Sequence, residues 1–420
     1  MVKAGALFYA IAVSLLIAMV SSAFIFYSLI QSLRFASNNI SERLLLNANS
    51  GINILMSENG FIPMNKKTTL DLFNDGTDSV TLERKDWGGF EIFSSVAFSG
   101  NNRIGKTALI GYDYFDSKET ALYLCDLGKP LSLCGKTLIK GTCFLPKSGV
   151  KRAYIEGQNF TGDKLIDGTI KLSTSQLPPV NKELINRLKD IFIAQAGETD
   201  SIVNFEESEI PDTITRSFSE STLFIYSKEN MLLSGKNLSG NILLYSKKNI
   251  RVESNNEMHD VLLFASSVSF EENFTGTVQA FASDSIIVKS SCRIKYPSVL
   301  GIIQEKNSAD NLFIRLEKDA QITGILFASQ DVSTTEKNIT IYIQKNSEFS
   351  GQLYSSGNAD IQGSVFGSVF CKKIMLRTPS SIYENHLLNA TIDNSRLSVH
   401  FTGISLVEQS KNKKIVKWLY

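Results

Sequence analysis

Leu223-Phe224-Ile225-Tyr226-Ser227 returns nineteen residues on as Ile242-Leu243-Leu244-Tyr245-Ser246, and again as Leu262-Leu263-Phe264-Ala265-Ser266. Further copies of this unit (two apolar or Gln/Ala residues, one aromatic, Ser within two positions) end in Phe281-Ala282-Ser283, Phe327-Ala328-Ser329 and Tyr354-Ser355-Ser356. The first four aromatics are 19, 19 and 17 apart; Leu300-Gly301 stands where a weakened copy falls in the longer gap before Phe327. A fixed period near 20 residues marks a solenoid, in which each coil buries its face only against its neighbours. Stacking sets like residues over like. It predicts an aromatic file of Tyr226, Tyr245, Phe264, Phe281, Phe327 and Tyr354, with a serine file beside it. Gly240, Gly276, Gly324 and Gly351 precede the aromatics, where a coil turns a corner. The extra residues, 304–311 and 334–338 among them, leave as loops. The favoured fold for 220–400 is a right-handed β-helix, with an evenly spaced β-sandwich as the alternative.

Working outward, residues 122–172 show strands of four or five residues split by glycine, such as Gly141-Thr142-Cys143-Phe144-Leu145. They read as the first coils, a region spanning 119–180. Pro178-Pro179 closes it. Leu184, Ile185, Leu188, Ile191 and Phe192 then trace a short amphipathic helix with Asn181 as cap, and 196–219 carries six carboxylates in a polar connection. Together these make an insertion over 181–219. At the far end, 380–389 has a weak helical pattern suited to capping an open stack. Residues 397–404 read as a strand, and 401–420 as a basic, aromatic tail.

Upstream, 59–118 alternates in short runs between Asp75-Gly76, Gly88-Gly89 and Gly100-Asn101, an antiparallel meander of three or four strands. Before it, residues 4–30 carry no charge. As a helix they reach roughly 40 Å, enough to cross a bilayer with tilt. A cleaved signal peptide is the alternative, with Ser21-Ser22-Ala23 as its site. The apolar run continues through Phe24-Ile25-Phe26-Tyr27, past the roughly 7–15 residues such peptides use. Ala10, Ser14, Ala18, Ser21 and Ser28 fall on one stripe, of the kind that lets another helix approach closely in lipid. Leu33, Ile40, Leu44, Ala48, Ile52 and Leu55 keep the helical period without a proline, so one helix over 1–58 half sits in lipid and half packs on a globular part.

That start resembles the amino terminus of type IV pilin-like proteins, most closely the minor, accessory pilins. The features are a short basic start, Gly5, an unbroken apolar helix, and a continuation with Glu42-Arg43 and Asn49-Ser50-Gly51. The resemblance covers about residues 1–58. It implies a membrane helix that packs with other pilin-like subunits or with itself, and a sheet laid on the helix end. The pattern of that family is a cut after glycine with Glu five residues on; counted from Gly5, the place is Ala10.

The 420 residues carry 43 basic and 42 acidic side chains, a formal charge of +1, which gives no footprint for nucleic acid. Charged residues at 20% and aromatics at 10% make a folding composition. Three histidines leave little room for His-based chemistry. Cys125, Cys134 and Cys143 are nine apart; a metal site needs a fourth ligand, a Cys125–Cys134 disulfide is one option, and buried hydrophobes are the leading reading. Asp284, Asp331 and Asp360 follow their aromatics as a partial file, short of the paired acids that β-helix lyases and hydrolases need. The expectation is a non-enzyme without cofactor or metal. The whole chain reads as mainly β with a long N-terminal α-helix: a single-pass membrane anchor, an antiparallel meander, then a β-helix held outside the cytoplasm as a structural part of the cell envelope. The alternative is an anchored module whose β-helix face recognises a glycan or protein. Exposed aromatics favour binding; buried ones favour a stalk.

Overall fold

A computed structural model describes residues 4–57, 62–74, 76–113, 120–193, 201–207, 210–304, 309–330, 338–407 and 412–419. The chain is mainly β with one long N-terminal helix. It divides into two compact units, Met1–Lys85 with Phe93–Thr107, and Asp86–Ile92 with Ala108–Tyr420.

In the first unit α1 (Ala4–Met56) runs unbroken for 53 residues. Strands β1 (Lys67–Leu70), β2 (Ser79–Trp87), β3 (Phe90–Ser99) and β4 (Asn102–Tyr112) lie side by side in that order. β1 pairs antiparallel with β2, Lys67 opposite Glu83. Leu44, Ala48, Ile52 and Leu55 recur at three and four residues, so they share one helix face, and all are buried. Arg43 grips buried Asp78 with two bonds, Nε at 2.6 Å and an amino group at 2.9 Å, and Asn47 adds a third at 3.1 Å. Helix and sheet touch at Gly51, where a Cβ would lie 2.1 Å from Ser95 Oγ and 2.6 Å from Leu82 Cδ2. The packed face starts later than the sequence period implies: Leu33 is 63% exposed and Ile40 half-buried.

The second unit is built on parallel strands that form one hydrogen-bonded set, closed into a barrel with extra strands. The pairing fixes the spatial order. Ser201–Asn204 lies on Leu223–Ser227, then come Ile242–Ser246, Glu257–Phe270, Thr275–Val288, Arg293–Ile303, Gln321–Ser329, Glu348–Ile361 and Ser364–Arg377. On that last strand lies Thr120–Leu124, followed by Thr142–Leu145 and Ile170–Leu172. The coils that are first in sequence are therefore last in space. Parallel, in-register pairing excludes the antiparallel β-sandwich.

Alternation does the rest. Ile225, Leu244, Leu263, Ala280, Leu300, Leu326, Leu353 and Val369 point into the common core, and their chain neighbours on the aromatic side point out. Like over like extends to asparagine: Asn338 donates to Asn311 and Asn358 to Asn338, each at 3.1 Å. Gly324, Gly351 and Gly367 stack at one corner with φ of 151°, 143° and 147°. A Cβ on Gly351 would meet the carbonyl oxygen of Gly324 at 1.8 Å, so the corner admits only glycine.

Two expectations change. Residues 380–389 are not a helix capping an open end. They form the short strands Ile382–Glu384 and His386–Leu388, and the second pairs with Leu131–Cys134. Asn385 and Asn389, both at positive φ, break the chain there. Residues 397–404 hold no strand; they follow the 3-10 turn Asn394–Arg396, with Gly403 bridged to Tyr112. The tail does end in a strand, Lys413–Leu419. Parts of the expected loops (305–308 and 331–337, with Asp331), of the acidic run (194–200, 208–209) and Tyr420 lie outside the described residues.

Candidate functional site

On α1 the stripe residues Ala10, Ser14, Ala18, Ser21 and Ser28 are all exposed, and so are the apolar residues around them, from Leu7 at 66% to Leu29 at 56%. At 3.6 residues per turn the five lie within about 80° of arc. Ser14 donates to the carbonyl of Ile11 at 2.9 Å, and Ser41 to that of Ser37 at 3.0 Å, so these hydroxyls are satisfied within the helix. No residue of the apolar window is buried, yet one face of the last turns of the same helix is, at Leu44, Ala48, Ile52 and Leu55. The chemistry this permits is association, since that surface carries no Asp, Glu, Lys, Arg or His.

In the second unit the aromatic file exists in register: Tyr226 on Tyr245, then Phe264, Phe281, Gly301, Phe327 and Tyr354. It continues through Phe370, Tyr123 and Phe144. No serine follows those three within two positions, and Phe370 and Phe144 follow Ser368-Val369 and Thr142-Cys143, so the repeat signature misses them. Phe264 and Phe281 stack at 4.9 Å between centroids, Tyr123 and Phe370 at 5.6 Å. The serine file is interrupted: Ser227 lies on Ser246, but Ala265, Ala282, Ile302 and Ala328 follow before Ser355.

The rings do not line the inner core. They point outward and are covered. Helix α2 (Lys182–Ile193), capped by Asn181 Oδ1 accepting from Glu183 N at 3.0 Å, buries Leu184 and Leu188 among them. Phe192 meets Phe264 edge to face at 5.3 Å, and Tyr245 donates to the Phe192 carbonyl at 3.0 Å. Tyr354, its phenol raised by burial, donates to the Pro178 carbonyl at 3.0 Å; Tyr296 donates to that of Thr402 at 3.0 Å. Arg187 pairs with Asp86 and donates to the Gly88 carbonyl. Gln279 donates to the Trp87 carbonyl at 3.2 Å and accepts from Gly89 N at 2.8 Å. Gln352 of the same file has neither amide atom partnered among the described residues. Tyr226 and Tyr245 stay half-buried; Phe264, Phe281, Phe327 and Tyr354 are buried.

The cysteines are all free and buried. Burial lifts Cys125 and Cys292 to about 11 and Cys143 to about 12. Among the described residues no group of three His, Cys, Asp or Glu side chains is placed to hold a metal. Asp284 accepts from Ala309 N, while Asp360 sits elsewhere, in a polar pocket with Arg315, Tyr342 and Arg377. The sequence period does not show that pocket, because loops stretch the spacing of the coils that build it.

No protein-family profile matches the chain, and no curated protein matches it in sequence. Among solved structures it is similar to the competence-associated pilin ComZ from Thermus thermophilus, over 85% of this chain and 86% of that one, with 11% identity and a TM-score of 0.28. A likeness at that level bears on neither fold nor function.

Proposed function

We propose that the chain is a membrane-anchored, pilin-like structural component of a cell envelope, with no catalytic role. In this reading the bare part of α1 lies in the bilayer and packs against helices of its kind or a second copy. The second unit is a right-handed β-helix held outside the cytoplasm. The observation that carries the proposal is one continuous helix whose apolar start is wholly uncovered while its end is locked into a sheet by Arg43, Asn47 and Gly51. Water does not tolerate a bare apolar surface of that length, and a bilayer does. For the handedness, connections between parallel strands of one sheet are right-handed in about 98% of cases. The covered aromatics favour a stalk over a face that binds through them.

Single cysteines at Ser14, Ser21 and Ser28 test it against Leu16, Met19 and Phe26 on the opposite side of α1. The native cysteines can stay, since burial and raised pKa keep their thiols unreactive. The stripe positions are expected to crosslink in membranes and the opposite ones not, and Ser21→Leu is expected to weaken crosslinking while the protein still resists carbonate extraction. Equal crosslinking at all six positions, or none, reduces the helix to a tether. Release of the intact chain by carbonate removes the anchor itself.

A further inference from the structure

Beside Phe313, the outer face of the parallel stack that carries Tyr342 gathers a polar cluster. Arg315, Tyr342, Gln344, Asp360, Gln362 and Arg377 there line a cavity of about 230 Å³. Tyr342 stands in register between Arg315 on one coil and Asp360 on the next. Both guanidiniums lie over its ring, Arg315 at 5.2 Å and Arg377 at 5.4 Å from the centroid, and Arg315 also lies 4.8 Å from the Phe313 centroid. Ring faces hold a guanidinium in place while leaving its N–H fork in the plane free to bond. Neither arginine has a side-chain ion pair among the described residues. Asp360 is 2% exposed and is held by Gln362 Nε2 at 3.0 Å.

A bare inorganic anion suits the arginines but offers the Asp360 carboxylate nothing to accept. A neutral sugar offers hydroxyls but leaves a net positive charge, since the single Asp360 carboxylate offsets only one of the two guanidiniums. A ligand that carries one anionic group beside several hydroxyls uses the whole set. We propose that this pocket binds one acidic sugar residue of a glycan, its carboxylate taken by Arg315 and Arg377 and its hydroxyls by Asp360, Gln344 and Gln362. The cavity has room for about one ring. The inference is independent of the assembly role of α1, and its failure leaves that role untouched.

The test uses full-length protein in detergent micelles, with binding read by ligand-observed NMR. Glucuronate is the probe; glucose and sulfate are the controls. Glucuronate is expected to bind at least roughly tenfold more tightly than either control, the size of one charge-assisted hydrogen bond. Arg377 is exposed, so Arg377→Gln is expected to melt as wild type yet lose roughly tenfold in glucuronate affinity, with Arg377→Lys in between. Asp360→Asn is expected to weaken glucuronate and strengthen sulfate. Sulfate binding as tightly as glucuronate overturns the proposal, as does an Arg377→Gln variant with unchanged affinity, or no glucuronate binding at all.

Discussion

Gly301 occupies the aromatic file with no ring of its own, and its neighbours fill the gap. A Cβ there would lie 2.4 Å from the tip of the Phe327 ring and 2.9 Å from Phe281, whose rings meet across it at 6.2 Å. The spacing of Leu300-Gly301 was legible as a degenerate copy; that the missing ring lets two others touch was not, since it depends on where side chains point. The same limit hid the direction of the file, because alternation states that Leu263 and Phe264 face opposite ways without stating which is inside. Phe264 is fully buried between Phe281 and Phe192. Phe264→Ala is expected to lose about 3–5 kcal/mol by denaturant unfolding, as if the ring were in the inner core. Asp360 behaves differently. Burial raises its carboxyl to about 6, against the pull of Gln362 and Arg377. The folded state thus holds this proton more tightly than the unfolded chain does. Stability from this group is gained as pH falls from about 6 towards 4 and is lost above 6. Asp360→Asn is expected to flatten that dependence and to stabilise the protein at pH 7.5 by about 1–3 kcal/mol, read from melts across pH.

Among the elements, α1 was legible in extent and α2 in both extent and cap. What the sequence mistook was the start of the packed face on α1, read from Leu33 and found at Leu44. Apolar periodicity records a dry neighbour without distinguishing lipid tails from protein, so Leu33 and Leu44 look alike in the pattern. Gly51 separates the two regimes. Gly51→Leu would drive a side chain into Ser95 and Leu82, and overpacking of this kind costs about 1–3 kcal/mol. Leu33→Ala, on the exposed part, is expected to change the melting of the first unit by about 0.5 kcal/mol or less in detergent. A Gly51→Leu protein with wild-type stability would contradict the close contact of helix and sheet.

At the scale of the whole chain, the parallel stack could be read from like residues recurring at one period. The order of its coils could not. Residues 122–172 precede the main repeat, and nothing in their local pattern encodes which open edge they meet. The structure joins them to Ser364–Arg377, with Val369 opposite Leu122, while Ile170–Leu172 and Ser201–Asn204 each show one parallel partner strand among the described residues. Hydrogen exchange reports this order. Amides of 122–124 and 369–371 are expected among the slowest, and those of 170–172 and 201–204 among the fastest. Fast exchange at both 122–124 and 369–371 would mean that the two segments do not pair.

The same join has a cost in time. Leu122 leaves the ribosome about 250 residues before Val369 does. At about 5–20 residues per second the wait is roughly 12–50 s. Through that interval the early coils carry an edge strand with no mate. Such an edge takes up any extended segment that reaches it, including the same edge on a neighbouring nascent chain. Yield from rapid synthesis is therefore expected to suffer more than yield from slow synthesis at low temperature, although the finished molecules are identical.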